Sequence, residues 1–181
     1  MLGIILQSFF LALLFFFFTF FVIQFYNIVF RGYAPFISTG KKVIAMIFQE
    51  LDLDKNFSGT VYELGCGKAG FLNIFHKYYP KANLIGIEYE YLLFIISKVQ
   101  QALKRNKIRI IRKNIFQADL SKADLIYCYL NVKMMKDLEA KFKKECKPGT
   151  QIISYAFSLH NLKVLKEIGL DNKTKIYFYK L

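Results

Sequence analysis

The stretch VYELGCGKAG, residues 61–70, constrains the fold of this chain more than any other segment. Gly65, Gly67 and Gly70 have the G-x-G-x-x-G spacing, with an apolar strand pattern before them and a helical pattern after them. A glycine turn between a strand and a helix exposes backbone N–H groups at the helix N-terminus, where a nucleotide-like ligand can bind. We therefore expect an α/β fold with a nucleotide-type cofactor at this turn.

Hydrophobic periodicity predicts strands and helices in alternation along the rest of the chain. Helices are predicted over 41–51, 71–79, 91–104 and 132–145, and strands over 60–64, 83–88, 107–112, 123–130 and 150–157. The last twenty residues have the pattern of a hairpin turning at Asp171 and Asn172. This order is typical of one parallel sheet with helices on both faces, completed by a C-terminal antiparallel hairpin.

Two carboxylates indicate which cofactor the turn holds. Glu63 lies two positions before the first glycine, where it would repel the pyrophosphate of a dinucleotide and favour the ammonium and sulfonium of S-adenosylmethionine (SAM). Glu88 ends the second strand, eighteen residues after Gly70, and is placed to accept both ribose hydroxyls of either cofactor. Glu63 alone discriminates between the two, and it favours SAM.

The opening thirty residues contain no charged side chain. Residues 4–26 are apolar and long enough to cross a bilayer, which needs roughly 20 residues. A cleaved signal peptide is the alternative, but a basic n-region and a small-residue cleavage site are missing. Arg31, Lys41 and Lys42 follow the span, so the positive-inside rule predicts a single-pass membrane protein with its catalytic domain in the cytoplasm. We expect a transmembrane anchor over 1–31 and a globular domain over 32–181.

The formal net charge of +13 is spread along the chain. Nucleic-acid binding is possible on charge alone, but attraction of an anchored domain to anionic headgroups explains the same charge, and no specific nucleic-acid partner is expected. Cys66, Cys128 and Cys146 are odd in number and far apart, so the sequence contains no readable disulfide framework or metal site. We expect a monomer.

The segments VYELGCGKAG and LIGIEYE resemble motifs I and II of the class I, seven-strand SAM-dependent methyltransferases. The resemblance continues through NIFQADLSKADLIYCYL, ECKPGTQIISYAF and KIYFYKL. GYAPFISTGKKVI is similar to the segment before motif I in small membrane-anchored protein-lysine methyltransferases, such as the ATP synthase c-subunit lysine methyltransferase. The resemblance implies a Rossmann-like seven-stranded methyltransferase sheet, preceded here by one transmembrane helix.

The resemblance also implies roles for individual residues. Those that fall on cofactor-binding positions are Thr39 over the methionine portion, Glu63, Gly65, Cys66, Gly67 and Glu88 around the glycine turn, and Asn114 and Phe116 beside the adenine. Tyr129, Leu130 and Asn131, at the end of the fourth strand, border the methyl group and the acceptor, and Tyr33 walls the channel.

Three residues depart from the family pattern. Lys68 and Ala69 stand where the family has an acidic residue and then glycine, and Asn114 stands where it has an acidic residue. Alanine is strained if position 69 needs a positive φ, and the Lys68 charge opposes the dipole of the following helix. Asn114 can still accept a hydrogen bond from an adenine amino group.

Four functions are compatible with these features. The first is a membrane-anchored SAM-dependent methyltransferase acting on a lysine of a membrane-associated protein, with Tyr129 and Asn131 orienting the amine. A lipid or quinone N- or O-methyltransferase, and a degenerate methyltransferase fold serving as an interaction module, are the alternatives. An NAD-dependent enzyme comes last because Glu63 opposes it. The segment YCYLNV contains no proline, which argues against methylation of nucleic-acid bases.

Overall fold

The computed structural model describes residues 2–29, 38–171 and 174–181, and the chain divides into two compact units between residues 35 and 36. The described part of the first unit is the helix α1, Leu2–Val29. Its segment Leu2–Ile23 is long and apolar enough to cross a membrane, by length and composition. Its central Phe-rich segment would be stable in contact with lipid acyl chains, whereas water would leave its phenylalanine side chains unfavourably hydrated.

The second unit is an α/β domain. Its helices are α2, Lys41–Glu50; α3, Gly70–Tyr78; α4, Tyr91–Lys104; and α5, Val132–Glu145. Its strands are β1, Thr60–Leu64; β2, Asn83–Glu88; β3, Ile108–Arg112; β4, Leu125–Cys128; β5, Gln151–Tyr155; β6, Lys166–Gly169; and β7, Lys175–Lys180. A short 3-10 turn, Ile115–Gln117, follows β3.

The seven strands form one sheet in the order β3-β2-β1-β4-β5-β7-β6. The five strands from β3 to β5 are parallel, and β7 runs antiparallel to both β5 and β6. The predicted seven-stranded sheet and C-terminal hairpin are therefore confirmed. Right-handed crossovers in the two directions from β1 place α3 and α4 on one face of the sheet and α5 on the other.

The central strands are buried because helices cover both faces. All four residues of β4 are inaccessible to solvent, as the continuous apolar run predicts. On the α3 face, Phe48 of α2 packs against Phe71, Phe75 and Tyr78, with ring centroids between 4.8 and 5.9 Å apart. On the other face, α5 buries Met135, Leu138 and Phe142. This packing holds β1, β2 and β4 rigidly, and their carboxyl ends form the edge where the glycine turn lies.

Candidate functional site

The glycine turn between β1 and α3 has the backbone conformation that its sequence suggests. Gly65 and Gly67 have φ of 67° and 49°, in the left-handed region that favours glycine. A Cβ on Gly65 would lie 2.8 Å from Cδ2 of Leu130, so the turn also needs glycine for space. The backbone N–H groups of Gly65 and Cys66 both donate to the carbonyl of Ile87, at 2.9 and 3.0 Å, which fastens the turn to β2.

Ala69, the last residue before α3, has a φ of 54°. The structure therefore confirms that this departure from the family pattern places a non-glycine residue in the left-handed region. Its methyl group is fully buried. The neighbouring Lys68 is exposed at the helix start, as expected.

Glu63 lies beneath the turn and caps α3. Its two carboxylate oxygens accept hydrogen bonds from the backbone N–H groups of Phe71, at 3.4 Å, and Leu72, at 3.2 Å. The side chain of Ala69 cannot cap the helix, so a carboxylate from β1 satisfies these donors instead. Burial, opposed by the two backbone hydrogen bonds and reinforced by the nearby Glu88, raises the pKa of Glu63 to about 8.

Glu88 connects the turn to the start of α4. One carboxylate oxygen accepts from the backbone N–H of Gly67 and the other from that of Glu90, both at 2.8 Å. Burial raises the pKa of Glu88 above its ordinary value despite these hydrogen bonds. The residue expected to bind ribose thus also orders the glycine turn.

Glu63 and Glu88 together form a buried acidic pair. Each is 6% exposed, and neither takes part in any ion pair with lysine or arginine that the structure gives among its described residues. A buried carboxylate without a cation is unfavourable in its charged form. The pair therefore suits a ligand that brings positive charge and disfavours a pyrophosphate.

Cys66 packs against Gly86 in the middle of β2. A Cβ on Gly86 would lie 2.7 Å from the sulfur of Cys66, so the thiol occupies the space that a side chain would need. Burial raises the pKa of this thiol well above its ordinary value, with smaller contributions from Glu63 and Glu88. Cys66 is therefore a neutral packing group that sets the distance between the glycine turn and β2.

Thr39 and Tyr127 join the segment before α2 to β4. Their hydroxyl oxygens share a hydrogen bond of 2.5 Å. Tyr127 pairs with Glu63 in the register of β4 and β1, and its ring stacks on Phe71 with centroids 4.3 Å apart. Thr39 is therefore held to β4, the strand next to the one that carries Glu63, where the resemblance places the methionine portion of a cofactor.

Asn114 and Phe116 lie after β3, at the same edge of the sheet. The side-chain oxygen of Asn114 accepts from the backbone N–H of Phe116 at 3.0 Å and caps the 3-10 turn. A carbonyl oxygen has two lone pairs, so this contact leaves one acceptor site for a ligand. The side chain of Phe116 is 37% exposed, which gives a flat base the opportunity to stack.

Tyr129 and Asn131 follow β4. The ring of Tyr129 packs against that of Tyr155 with centroids 4.4 Å apart. Asn131 is the N-cap of α5, and its side-chain oxygen accepts from the backbone N–H of Met134 at 2.9 Å. Asn131 therefore has a structural function in addition to any contact with an acceptor. The third residue expected here, Tyr33, lies outside the described residues.

The segment that carries the glycine turn and both carboxylates matches the model of a protein family. The model of the ANTKMT methyltransferase domain matches residues 63–166, more than half of the chain. The chain belongs to this family. It is a SAM-dependent methyltransferase.

Individual relatives agree with the family match. A protein-lysine N-methyltransferase from Saccharolobus islandicus (strain REY15A) is 26% identical over 153 residues, covering 81% of this chain and 93% of the relative. An RNA methyltransferase from Salinibacter ruber, solved with S-adenosyl-L-homocysteine, has a TM-score of 0.72 at 20% identity, covering 80% of this chain and 93% of its own. A ribosomal protein L11 methylase from Lactobacillus delbrueckii subsp. bulgaricus has a TM-score of 0.64 at 13% identity, covering 77% and 78%. These two structures share the fold.

The acidic pair fits the cofactor of the ANTKMT methyltransferase domain family. SAM carries an ammonium and a sulfonium, and both are positive charges that a buried carboxylate stabilises. Glycines at positions 65 and 67 leave room for close approach of the ligand to the backbone. The negative charge of the two carboxylates thus matches the positive charge of SAM, and the glycine turn leaves space for it.

Sequence reasoning missed three residues that shape this methyltransferase site. Apart from Leu130, which was expected near the methyl group and lies over the turn, these residues are Gly86 under the thiol, Tyr127 bonded to Thr39, and Tyr155 against Tyr129. A glycine inside an apolar strand is a signal of close backbone approach, so Gly86 could have been found. The pairing of Thr39 with Tyr127 spans 88 residues and has no local signal.

Proposed function

We propose that this protein is a membrane-tethered protein-lysine methyltransferase, which transfers the methyl group of SAM to a lysine of a membrane-associated protein. The observation that carries the proposal is the similarity to a protein-lysine N-methyltransferase over 81% of this chain and 93% of the relative. Because the match covers most of both chains, it extends well beyond the glycine turn.

The residues that would hold the cofactor surround the glycine turn. Glu63 would face its cationic end from below, and Glu88 would accept from the ribose hydroxyls. The methionine portion would lie near Thr39, over the backbone of Gly65, Cys66 and Gly67. Asn114 would accept from the adenine amino group, with Phe116 against the ring. When bound, SAM supplies an electrophilic methyl group on its sulfonium.

The acceptor side would be formed by aromatic and neutral polar groups. Tyr129 packs against Tyr155 and is partly buried, so a lysine inserted beside these rings would lose water. Loss of water lowers the pKa of an amine and favours the neutral form that can attack a methyl group. The Tyr129 hydroxyl and the Asn131 amide would orient the amine, and Tyr33 would close the channel. Positioning and exclusion of water would then supply most of the rate enhancement.

The helix α1 would tether the domain to its target membrane. Its segment Leu2–Ile23 is suited to crossing a bilayer, and Arg31, Lys41 and Lys42 follow it. By the positive-inside rule these cations would keep residues 32–181 in the cytoplasm, as a single-pass protein. Tethering restricts enzyme and target to the same surface and raises their effective concentration.

The test uses the full chain reconstituted in vesicles with membrane fractions and methyl-labelled SAM. Label on lysine, identified by mass spectrometry of digested proteins, supports the proposal. Label recovered in the lipid extract, with none on protein, would replace it with a lipid or quinone methyltransferase. Glu88→Ala, assayed at a SAM concentration below the wild-type Kd, is the control with reduced activity, because it removes the expected ribose contact while leaving the acceptor side unchanged.

A further inference from the structure

The helix α4 presents an apolar face to solvent. Leu92, Ile95, Val99 and Leu103 are 39, 37, 52 and 79% exposed. At roughly 100° per residue these four positions fall within an arc of about 80°, so they form one continuous stripe along the helix. Tyr91, 61% exposed, extends it at the N-terminal end. We refer to these five residues as the α4 stripe.

The side of α4 that packs on the sheet is partly polar, although Phe94 also packs there against the hydrophobic core. Ser97 and Gln101 are the buried residues of this helix. The Ser97 hydroxyl and the Gln101 side-chain nitrogen have no hydrogen-bond partner among the described residues. Unsatisfied buried polar groups destabilise a fold. Packing against the core accounts for Phe94, but it does not account for the exposed apolar residues of the α4 stripe.

Cations border the α4 stripe along its length. Lys98 flanks it, and the Arg112 guanidinium lies 5.0 Å from the centre of the Tyr91 ring. Lys104 and Arg105 are exposed at its C-terminal end. The helix itself contains no acidic residue; Glu90, at the N-cap, is the nearest carboxylate in sequence.

A groove of about 560 Å³ on the same side of the sheet extends this positive region. It runs between α2, α3 and α4, and among the described residues no carboxylate lines it. The cationic side chains that line it are Lys41, Lys68, Lys77 and Lys104. The apolar stripe and the surrounding lysines therefore make up one amphipathic surface.

We propose that the α4 stripe docks on an anionic bilayer surface, with its apolar side chains between the headgroups and its lysines and arginines against lipid phosphates. Apolar side chains flanked by cations are the composition of helices that lie in a membrane interface. A second copy of this chain fits less well, because pairing through this face would bring two cationic rims together. The inference rests on the proposed tethering, which keeps the domain within reach of a bilayer.

Docking through α4 would orient the methyltransferase site. The helix begins at Tyr91, three residues after Glu88, whose carboxylate holds Gly67. The N-terminal end of the α4 stripe is therefore adjacent to the glycine turn. A domain docked in this way would hold its cofactor edge next to the membrane surface, where a lysine close to the bilayer can enter.

The experiment exploits the absence of tryptophan from the chain, which makes any introduced indole a unique fluorophore. Ala102→Trp places it on α4 beside Val99, and Ala140→Trp places it on α5 as the matched control, since both alanines are exposed. Each full-length variant is reconstituted in vesicles that contain phosphatidylglycerol and a phosphatidylcholine brominated near the headgroup end of its acyl chains. We expect the bromine to quench Ala102→Trp and to leave Ala140→Trp unchanged.

Charge dependence provides a second measurement. Adding Lys98→Gln and Lys104→Gln to Ala102→Trp should weaken docking about fivefold per lysine removed. Vesicles without phosphatidylglycerol should reduce the quenching in the same direction. If the chain co-floats with the vesicles but the indole of Ala102→Trp is not quenched, the docking proposal is wrong and the tether stands. If the chain does not co-float with the vesicles, the proposed tether is wrong. Protection of Ala102→Trp from acrylamide without bromine quenching indicates a protein partner and overturns the proposal.

Discussion

Glu88 orders the glycine turn and is the residue that we propose contacts the ribose of the cofactor. Its two oxygens already accept from the N–H groups of Gly67 and Glu90. Hydrogen bonds to a charged group contribute about 1.5–3 kcal/mol each, so Glu88→Ala should weaken SAM binding by about ten- to a hundredfold. Isothermal titration calorimetry measures the change. Glu167→Ala, on the exposed strand β6, is the matched control, and SAM binding by Glu88→Ala at the wild-type affinity would show that this carboxylate does not contact the cofactor.

Glu63 should make stability depend on pH in a definite direction. Its pKa is about 8 in the folded protein, against an ordinary value of 4.5. Between these values the folded state holds a proton that the unfolded state has released, so the free energy of unfolding falls as pH rises, by up to about 1.4 kcal/mol per pH unit. Thermal unfolding across this window should show a steeper decline in Tm for the wild type than for Glu63→Gln.

The pKa of Glu139 is shifted in the opposite direction from that of Glu63, so its effect on stability should depend on pH in the opposite way. Its pKa is lowered by hydrogen bonds from Asn161 and Lys143, which outweigh its burial. Its stabilising contribution is therefore present above the ordinary carboxyl pKa and lost as pH falls. Glu139→Gln should accordingly reduce stability near neutral pH and have little effect in acid.

For Glu63, identical pH profiles of stability for the wild type and Glu63→Gln would contradict the assignment of a buried, protonated carboxyl to position 63.

At the scale of the secondary-structure element, the residue before α3 has a strained backbone conformation that a substitution can relieve. Ala69 has a φ of 54°, and a left-handed conformation costs a non-glycine residue about 1–2 kcal/mol. Ala69→Gly should therefore stabilise the protein by about 1 kcal/mol, a rise in Tm of roughly 2–4 °C for a domain of this size. Thermal denaturation measures the change.

The matched control for this change is Ala123→Gly. Ala69 and Ala123 are both fully buried, but Ala123 is not among the residues with positive φ. Glycine at position 123 should lower stability, because it adds backbone freedom to the unfolded chain and gives no relief of strain. A fall in Tm for both variants would mean that burial of the Ala69 methyl outweighs its backbone strain.

The helices and strands were largely predictable because each has a strong local pattern of apolar and polar residues. The bounds predicted for β1, β2, α4 and α5 agree with the structure, and β4 is shorter than its apolar run because only 125–128 form ladder contacts. The N-cap function of Asn131 could also have been read, since asparagine is favoured immediately before a helix. The hydrogen bonds from α3 to Glu63 could not be predicted, because they depend on how β1 and α3 pack together, which no local sequence pattern specifies.

At the scale of the whole molecule, the proposed function assigns location to α1 and chemistry to the α/β domain. The domain has its own buried core and does not need α1 to bury its apolar residues. The fragment from Gly32 onward should therefore fold and bind SAM with the affinity of the full chain. Methylation of a target in vesicles should nevertheless fall about a hundredfold or more, because the effective concentration that tethering provides is lost.

An unrelated transmembrane helix in place of residues 1–31 separates tethering from any specific contact of α1. If α1 acts only as a tether, this chimera should recover methylation of the vesicle target, while soluble peptides carrying the same lysine are methylated equally by all three proteins. Failure of the chimera to recover activity would mean that α1 contributes sequence-specific contacts to target recognition. Full activity of the untethered fragment on vesicles would contradict tethering, since diffusion from solution would then suffice, and the cationic surface around α4 would be left as the means by which the domain reaches the membrane.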